Sequence, residues 1–247
     1  MKKENIFALQ FRGLLLWNLI RHKNLLIIFS LTQAFLSLAV VFGIALMTET
    51  KTKPEAIFLA SGAMTLGIIA VGCVLSAQII NTAKVEGVIK YQRTFPVKRS
   101  LILLSDLLIW SIASIPGIFM SHFASYMRFG FGAKLNFQNI LVLMLIQICM
   151  ISIGFSIAYL FTANVMGLVT QIIMIGGLLF SPILFPSNRL PGWLRLVYDN
   201  LPFVPASQLI RSLLFSYGKF SIDNLVVVII WGLVGISVSL YVLEKRN

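Results

Sequence analysis

The side chains that usually carry chemistry are scarce in this 247-residue chain, which holds two histidines, two cysteines and eight carboxylates. His22 stands at the edge of one apolar run and His122 towards the end of another, on opposite sides of any bilayer those runs cross. They are therefore not expected to share a metal ion. Cys73 and Cys149 lie inside apolar runs with no Cys/His ligand spacing around them, and read as small packing residues. No G-x-x-x-x-G-K-[ST] loop for nucleotide phosphates occurs, and neither H-E-x-x-H nor G-x-S-x-G is found. Asp106 is the one carboxylate placed well within an apolar run. Paired acid chemistry is thus unsupported, and the chain is expected to be no enzyme.

Asp106 is nonetheless a candidate in its own right. A charge at the centre of a membrane helix costs about 2.5–3.5 kcal/mol on insertion scales, so such residues carry function by default. Here the position is only about one and a half helical turns from the start of its run. Lys98 and Arg99 are close enough along the chain to neutralise it. Two readings stand: a structural ion pair, or a part in gating. Uncharged amides also punctuate the apolar runs at Gln33, Gln78, Gln147 and Gln171, with Asn81 and Asn164 at their ends. Amides in hydrocarbon need partners, which gives each either a helix–helix hydrogen bond or a place along a wet path.

The elements that must position these groups follow from composition. The chain is 58% hydrophobic and 11% charged, with mean hydropathy +0.93. An ordinary soluble domain is about 45–50% apolar and about a quarter charged, so a water-soluble enzyme and a disordered chain are both excluded. Runs long enough to cross a bilayer as helices span 25–47, 56–80, 101–123, 140–161, 165–185 and 225–243. The expected fold is an all-α polytopic membrane protein, a single transmembrane domain over 1–247. Small residues recur four apart, as at Gly72/Ser76, Ser152/Ser156 and Gly154/Ala158, and favour close helix approach within a subunit or between two.

The net charge of +12 sits mainly between the apolar runs. That placement fits membrane topology and an anionic leaflet better than nucleic acid. Segments 1–24 and 81–100 each carry five Lys or Arg, which puts both termini and the second loop in the cytoplasm. Residues 5–21 form either an interfacial helix, anchored by Arg12, Trp17 and Arg21, or an extension of the first span. Residues 82–95 are compatible with a short cytoplasmic helix whose charges could meet a soluble partner, with Pro96 closing it. Residues 186–221 are too broken by Pro191, Pro202 and Pro205 to cross. They read as two short helices that are re-entrant or lie flat on the outer surface.

This order of parts resembles a type-2 ATP-binding-cassette (ABC) exporter permease of the drug and polysaccharide-export kind. Its local marks are Glu86–Gly87 followed by Pro96–Val97, then Leu190–Pro191–Gly192–Trp193–Leu194, Asn200–Leu201–Pro202 and Arg211. The resemblance implies that Lys84, Glu86, Gly87, Lys90, Arg93 and Pro96 couple the chain to a separate ATP-binding subunit. It makes Pro191, Trp193, Pro202 and Arg211 an external re-entrant motif. It further implies a path lined by the second and fifth spans, which carry Phe58, Met64, Gln78, Gln171, Met174 and Phe180. Two cassette subunits would hold ATP and Mg, this chain would hold no cofactor, and a second permease, identical or paralogous, would complete the assembly. The expected function is ATP-driven efflux of an amphipathic or hydrophobic cargo across the plasma membrane, as in multidrug resistance. A stand-alone secondary carrier or channel is the alternative, though it would place coupling carboxylates at mid-membrane.

Overall fold

The computed structural model describes residues 2–44, 46, 52–92, 94–186 and 190–245. It is 85% helical, with no strand among the described residues. Helix α1 runs unbroken from Lys2 to Leu38 and continues as a π-helical turn, Ala39–Ile44. Residues 5–21 are therefore not a separate element, in contrast to the interfacial-helix reading. The first proline of the chain is Pro54. Once a helix is nucleated, each added residue gains a hydrogen bond, and a stretch without proline has no reason to stop.

Helix α2 (Lys53–Ile69), a π turn (Ala70–Leu75) and α3 (Ser76–Val85) make one continuous rod. Its start is capped by the Glu55 carboxylate, which accepts from the Thr52 backbone N–H at 3.2 Å. In the rod's most apolar window 89% of residues are buried, against 22% in the last helix, so this is the central element. The short α4 (Val88–Gln92) follows. The expected helix over 82–95 is thus split: Gly87, at φ +76°, ends α3 in a left-handed turn before α4 begins.

Helices α5 (Arg99–Ala113) and α6 (Ile115–Phe129) form the next rod, bent at Ser114 because Pro116 has no N–H to continue the ladder. Helix α7 (Phe137–Leu160) is an uninterrupted α-helix. Helix α8 (Ala163–Ile175) ends in a π turn at Phe180, where Ser181 turns extended before Pro182. It stops short of the residue 185 expected for the fifth span. Helices α9 (Gly192–Asn200) and α10 (Phe203–Leu214) precede α11 (Ile222–Lys245).

Five of these rods are long and apolar enough to cross a membrane, and α8 is apolar but shorter. They are held together by backbone approach at small residues. A Cβ at Gly154 on α7 would overlap Gly72 O and Ser76 Oγ of the central rod. One at Gly232 on α11 would overlap Cys149 Sγ, and Ser152 Oγ donates to Gly232 O at 3.0 Å. The Gly72/Ser76 and Gly154/Ala158 pairs therefore act within the subunit.

The chain has two ends. At one, which we call the terminal end, lie the start of α1, the α3–α4 turn, the start of α5 and the C-terminus of α11. At the other, the opposite end, lie the start of α2, the α6–α7 loop and the α9–α10 pair.

Candidate coupling surface and polar junction

At the terminal end the exposed residues of the loop include Val85, Glu86, Lys90, Tyr91, Thr94, Pro96 and Lys98. Beneath them Ile89 and Gln92 are buried and tie α4 to the bundle. Phe95 packs edge-on between Tyr91 at 5.1 Å and Trp17 of α1 at 5.8 Å. Gln10 Nε2 donates to Pro96 O at 3.2 Å. The loop is thereby fixed against the first turns of α1, and Glu86 and Lys90 stand outward from it.

Lys84 points elsewhere. Its ammonium donates to Ala158 O at 2.6 Å and Phe161 O at 3.2 Å, the unpaired carbonyls at the C-terminus of α7. A cation there is favoured by the helix dipole. Lys84 therefore stitches α3 to α7 rather than presenting its charge with Glu86. Arg93 lies outside the described residues.

Directly under α4 is a polar junction. Asn18 Nδ2 donates to Asp106 Oδ1 at 2.6 Å and to Ser105 Oγ at 3.0 Å, and all three residues are buried. Asp106, Arg21, His22 and Gln92 share a void of about 10 Å³, room for a single water. His22 packs against Trp110 with ring centroids 5.2 Å apart and the rings tilted by 57°. The expected ion pair from Arg99 to Asp106 is not formed. Arg99 instead donates to the Leu243 carbonyl, and to Glu244 O at 3.0 Å, capping α11. The opposing charge for Asp106 comes from Arg21 on α1. Helix α1 supplies both of these partners, and no spacing in the chain announces them. The signal that was available is Asn18, a lone amide next to Trp17 in an apolar stretch.

The six residues assigned to a path do not converge. Met64 is 1% exposed inside the core, where a cargo has no access in this conformation. Phe58 lies at the opposite end, under the Arg211 guanidinium at 3.7 Å and beside Tyr217 at 5.9 Å. Gln78 is exposed near the terminal end. Gln171 and Phe180 are exposed on α8 along with Leu168, Ile172 and Ile175, a stripe at helical spacing, and Met174 is half-buried beside it. Gln33 is wedged beside Gly67 and Gly117, and Gln147 is fully buried with no hydrogen-bond partner among the described residues.

The α9–α10 pair divides sharply. In α10, Val204, Ala206, Leu209, Ile210 and Leu214 are completely buried, which excludes a helix lying flat on a surface. Helix α9 buries no residue, and Trp193 is 69% exposed. Pro191 and Pro202 are the N-caps of the two helices. Arg211 is buried, with Nε donating to Ser61 Oγ at 3.1 Å and Nη2 to Ile183 O at 2.8 Å. It locks α10 to α2 and to the turn after α8.

A long apolar helical chain, a solvent-facing loop fixed on its first helix and a short buried helix before its last span are now in place. The family profile described as ABC-2 type transporter matches residues 4–215. The chain belongs to that family. This ABC-2 permease is accordingly a component of an ABC transporter and a multi-pass membrane protein, and the family implies an ABC ATP-binding partner. The matched region takes in every helix except α11. No curated protein matches the chain.

Proposed function

We propose that this permease is the membrane subunit of an ATP-driven exporter that moves an amphipathic or hydrophobic cargo, such as an antibiotic, a lipid-like molecule or a peptide, out of the cell. Two cassette subunits supply ATP and Mg, the chain itself hydrolyses nothing, and a second permease, identical or paralogous, pairs with it. It lies in the plasma membrane with both termini cytoplasmic, in keeping with the ten Lys and Arg of segments 1–24 and 81–100.

The observation that carries this reading is the build of the terminal-end loop. Glu86, at the end of α3, and Lys90 and Tyr91 of α4 face outward, while Ile89 and Gln92 of α4 abut Arg21, His22 and Asp106. A displacement applied to α4 is passed through packed and hydrogen-bonded contacts to α1 and α5, because a close-packed interior transmits strain. Pairing along the exposed α8 stripe would place Gln171 and Phe180 between two permeases, a mixture of amide and apolar surface suited to an amphipathic cargo.

The test is co-expression with a P-loop ATPase and transport in reconstituted vesicles. The expected result is a stable complex with vanadate-sensitive ATPase activity. Glu86→Lys should lower ATP-coupled transport at least several-fold with the amount of inserted permease unchanged. Normal transport by that variant, or transport by the purified permease alone, refutes the reading.

A further inference from the structure

At the opposite end, a cavity of about 320 Å³ opens between the turn after α8, helix α9 and helix α10. Arg195, Arg211 and Lys219 line it, and no carboxylate does so among the described residues. Two of the five N–H donors of Arg211 are committed to Ser61 and Ile183, which leaves the others for a ligand. Gln208 adds an amide NH₂, its carbonyl being held by Asn224 Nδ2 at 2.9 Å. Among the described residues the counter-charge of Arg195 is Asp199, at 3.7 Å on an exposed surface where such pairs are weak. In a neighbouring cavity of about 460 Å³ the charged lining residues, among those described, are two cations, Lys53 and Lys134, in an otherwise largely apolar wall.

We infer that the 320 Å³ cavity binds the anionic head of a phosphate-bearing amphiphile. Three cations line one cavity with no carboxylate among its described lining residues, which favours an anion there, and guanidinium groups match phosphate oxygens in pairs. The rest of the wall is made by Phe58, Pro182 and Pro186, which are apolar, with Tyr217 and Gly218. Leu179 and Phe180 are exposed just before it in the chain, a surface along which a hydrocarbon tail can lie. Phe58 is five residues beyond Lys53 in α2, about 7–8 Å along the helix, so the cavity lies near one end of that apolar rod. The inference requires a membrane-embedded chain but neither ATP nor transport, so it stands or falls separately from the export reading.

Binding is measured on the purified full-length permease in zwitterionic micelles with fluorescent phosphatidylglycerol and phosphatidylcholine. Phosphatidylglycerol should bind roughly tenfold or more tightly than phosphatidylcholine, and each of Arg195→Gln and Lys219→Gln should weaken it about fivefold. Both residues are peripheral to the core, so the fold survives. Arg128→Gln, an exposed cation of the same end that lines neither cavity, should leave binding unchanged. Competition by glycerol phosphate would identify a water-soluble phosphate as a ligand of the same site, and competition by short-chain phosphatidylglycerol alone would identify the lipid. Equal affinity for the two lipids overturns the inference. So does parental binding by the double variant, or an Arg128→Gln loss as large as that of Arg195→Gln.

Discussion

Asn18 and Asp106 are separated by 88 residues and joined by a 2.6 Å hydrogen bond. A buried carboxylate is tolerable when its oxygens are hydrogen-bonded and an opposite charge is near, and here Asn18 and Arg21 meet both needs from one helix. Asp106→Asn keeps an acceptor for Asn18 and removes the buried charge. It should leave thermal unfolding of the detergent-purified chain unchanged or slightly raised. Asp106→Leu leaves the Asn18 amide only Ser105 Oγ as an acceptor in a buried site and should cost about 1–3 kcal/mol in the same measurement. If the two variants melt alike, the Asn18 contact contributes nothing. Arg99 and Lys84 show a different use of charge: each caps the carbonyls of a helix C-terminus, where a cation offsets the unpaired end of the dipole.

Among the elements, the central rod of α2 and α3 is held by helices that approach to backbone contact. Such packing has no room for a side chain at the crossing point. Gly154→Ala should therefore destabilise the chain by about 1–3 kcal/mol, because the added methyl meets Gly72 O and Ser76 Oγ. Gly167, inside α8, has nothing within 4 Å of an added Cβ. There the same substitution should stabilise by about 0.5–1 kcal/mol, through helix propensity alone. Thermal melts of the two variants side by side separate packing from propensity. The four-residue spacing of small residues is legible in the linear order of the chain. Which pairs act within the subunit is not, since a helix shows the same small stripe to a neighbour in its own chain and to another copy.

At the scale of the whole molecule, α8 presents an uncovered stripe of Leu168, Gln171, Ile172 and Ile175. If two permeases pair along it, Ile172→Cys should form an intermolecular disulfide in membranes under mild oxidation. Leu141→Cys, exposed on α7, should not. The native Cys73 and Cys149 are both buried and do not compete. Equal cross-linking at both positions, or none at 172, would move the pairing face elsewhere.

Much of the architecture is written in the succession of residues. Hydrocarbon admits only helices of a set length, so apolar runs locate the membrane rods, and prolines such as Pro116, Pro182 and Pro202 mark where rods bend or stop. The exposed loop around Glu86 and the broken segment after Pro186 are readable for the same local reasons. Partner choice is not. Asp106 bonds to Asn18 rather than Arg99, Lys84 turns inward to α7, Met64 is sealed in the core and Arg211 locks two helices over the ring of Phe58. Each of these depends on which helices lie side by side and how each is rotated, and that is decided by packing across the whole bundle rather than by any stretch of chain.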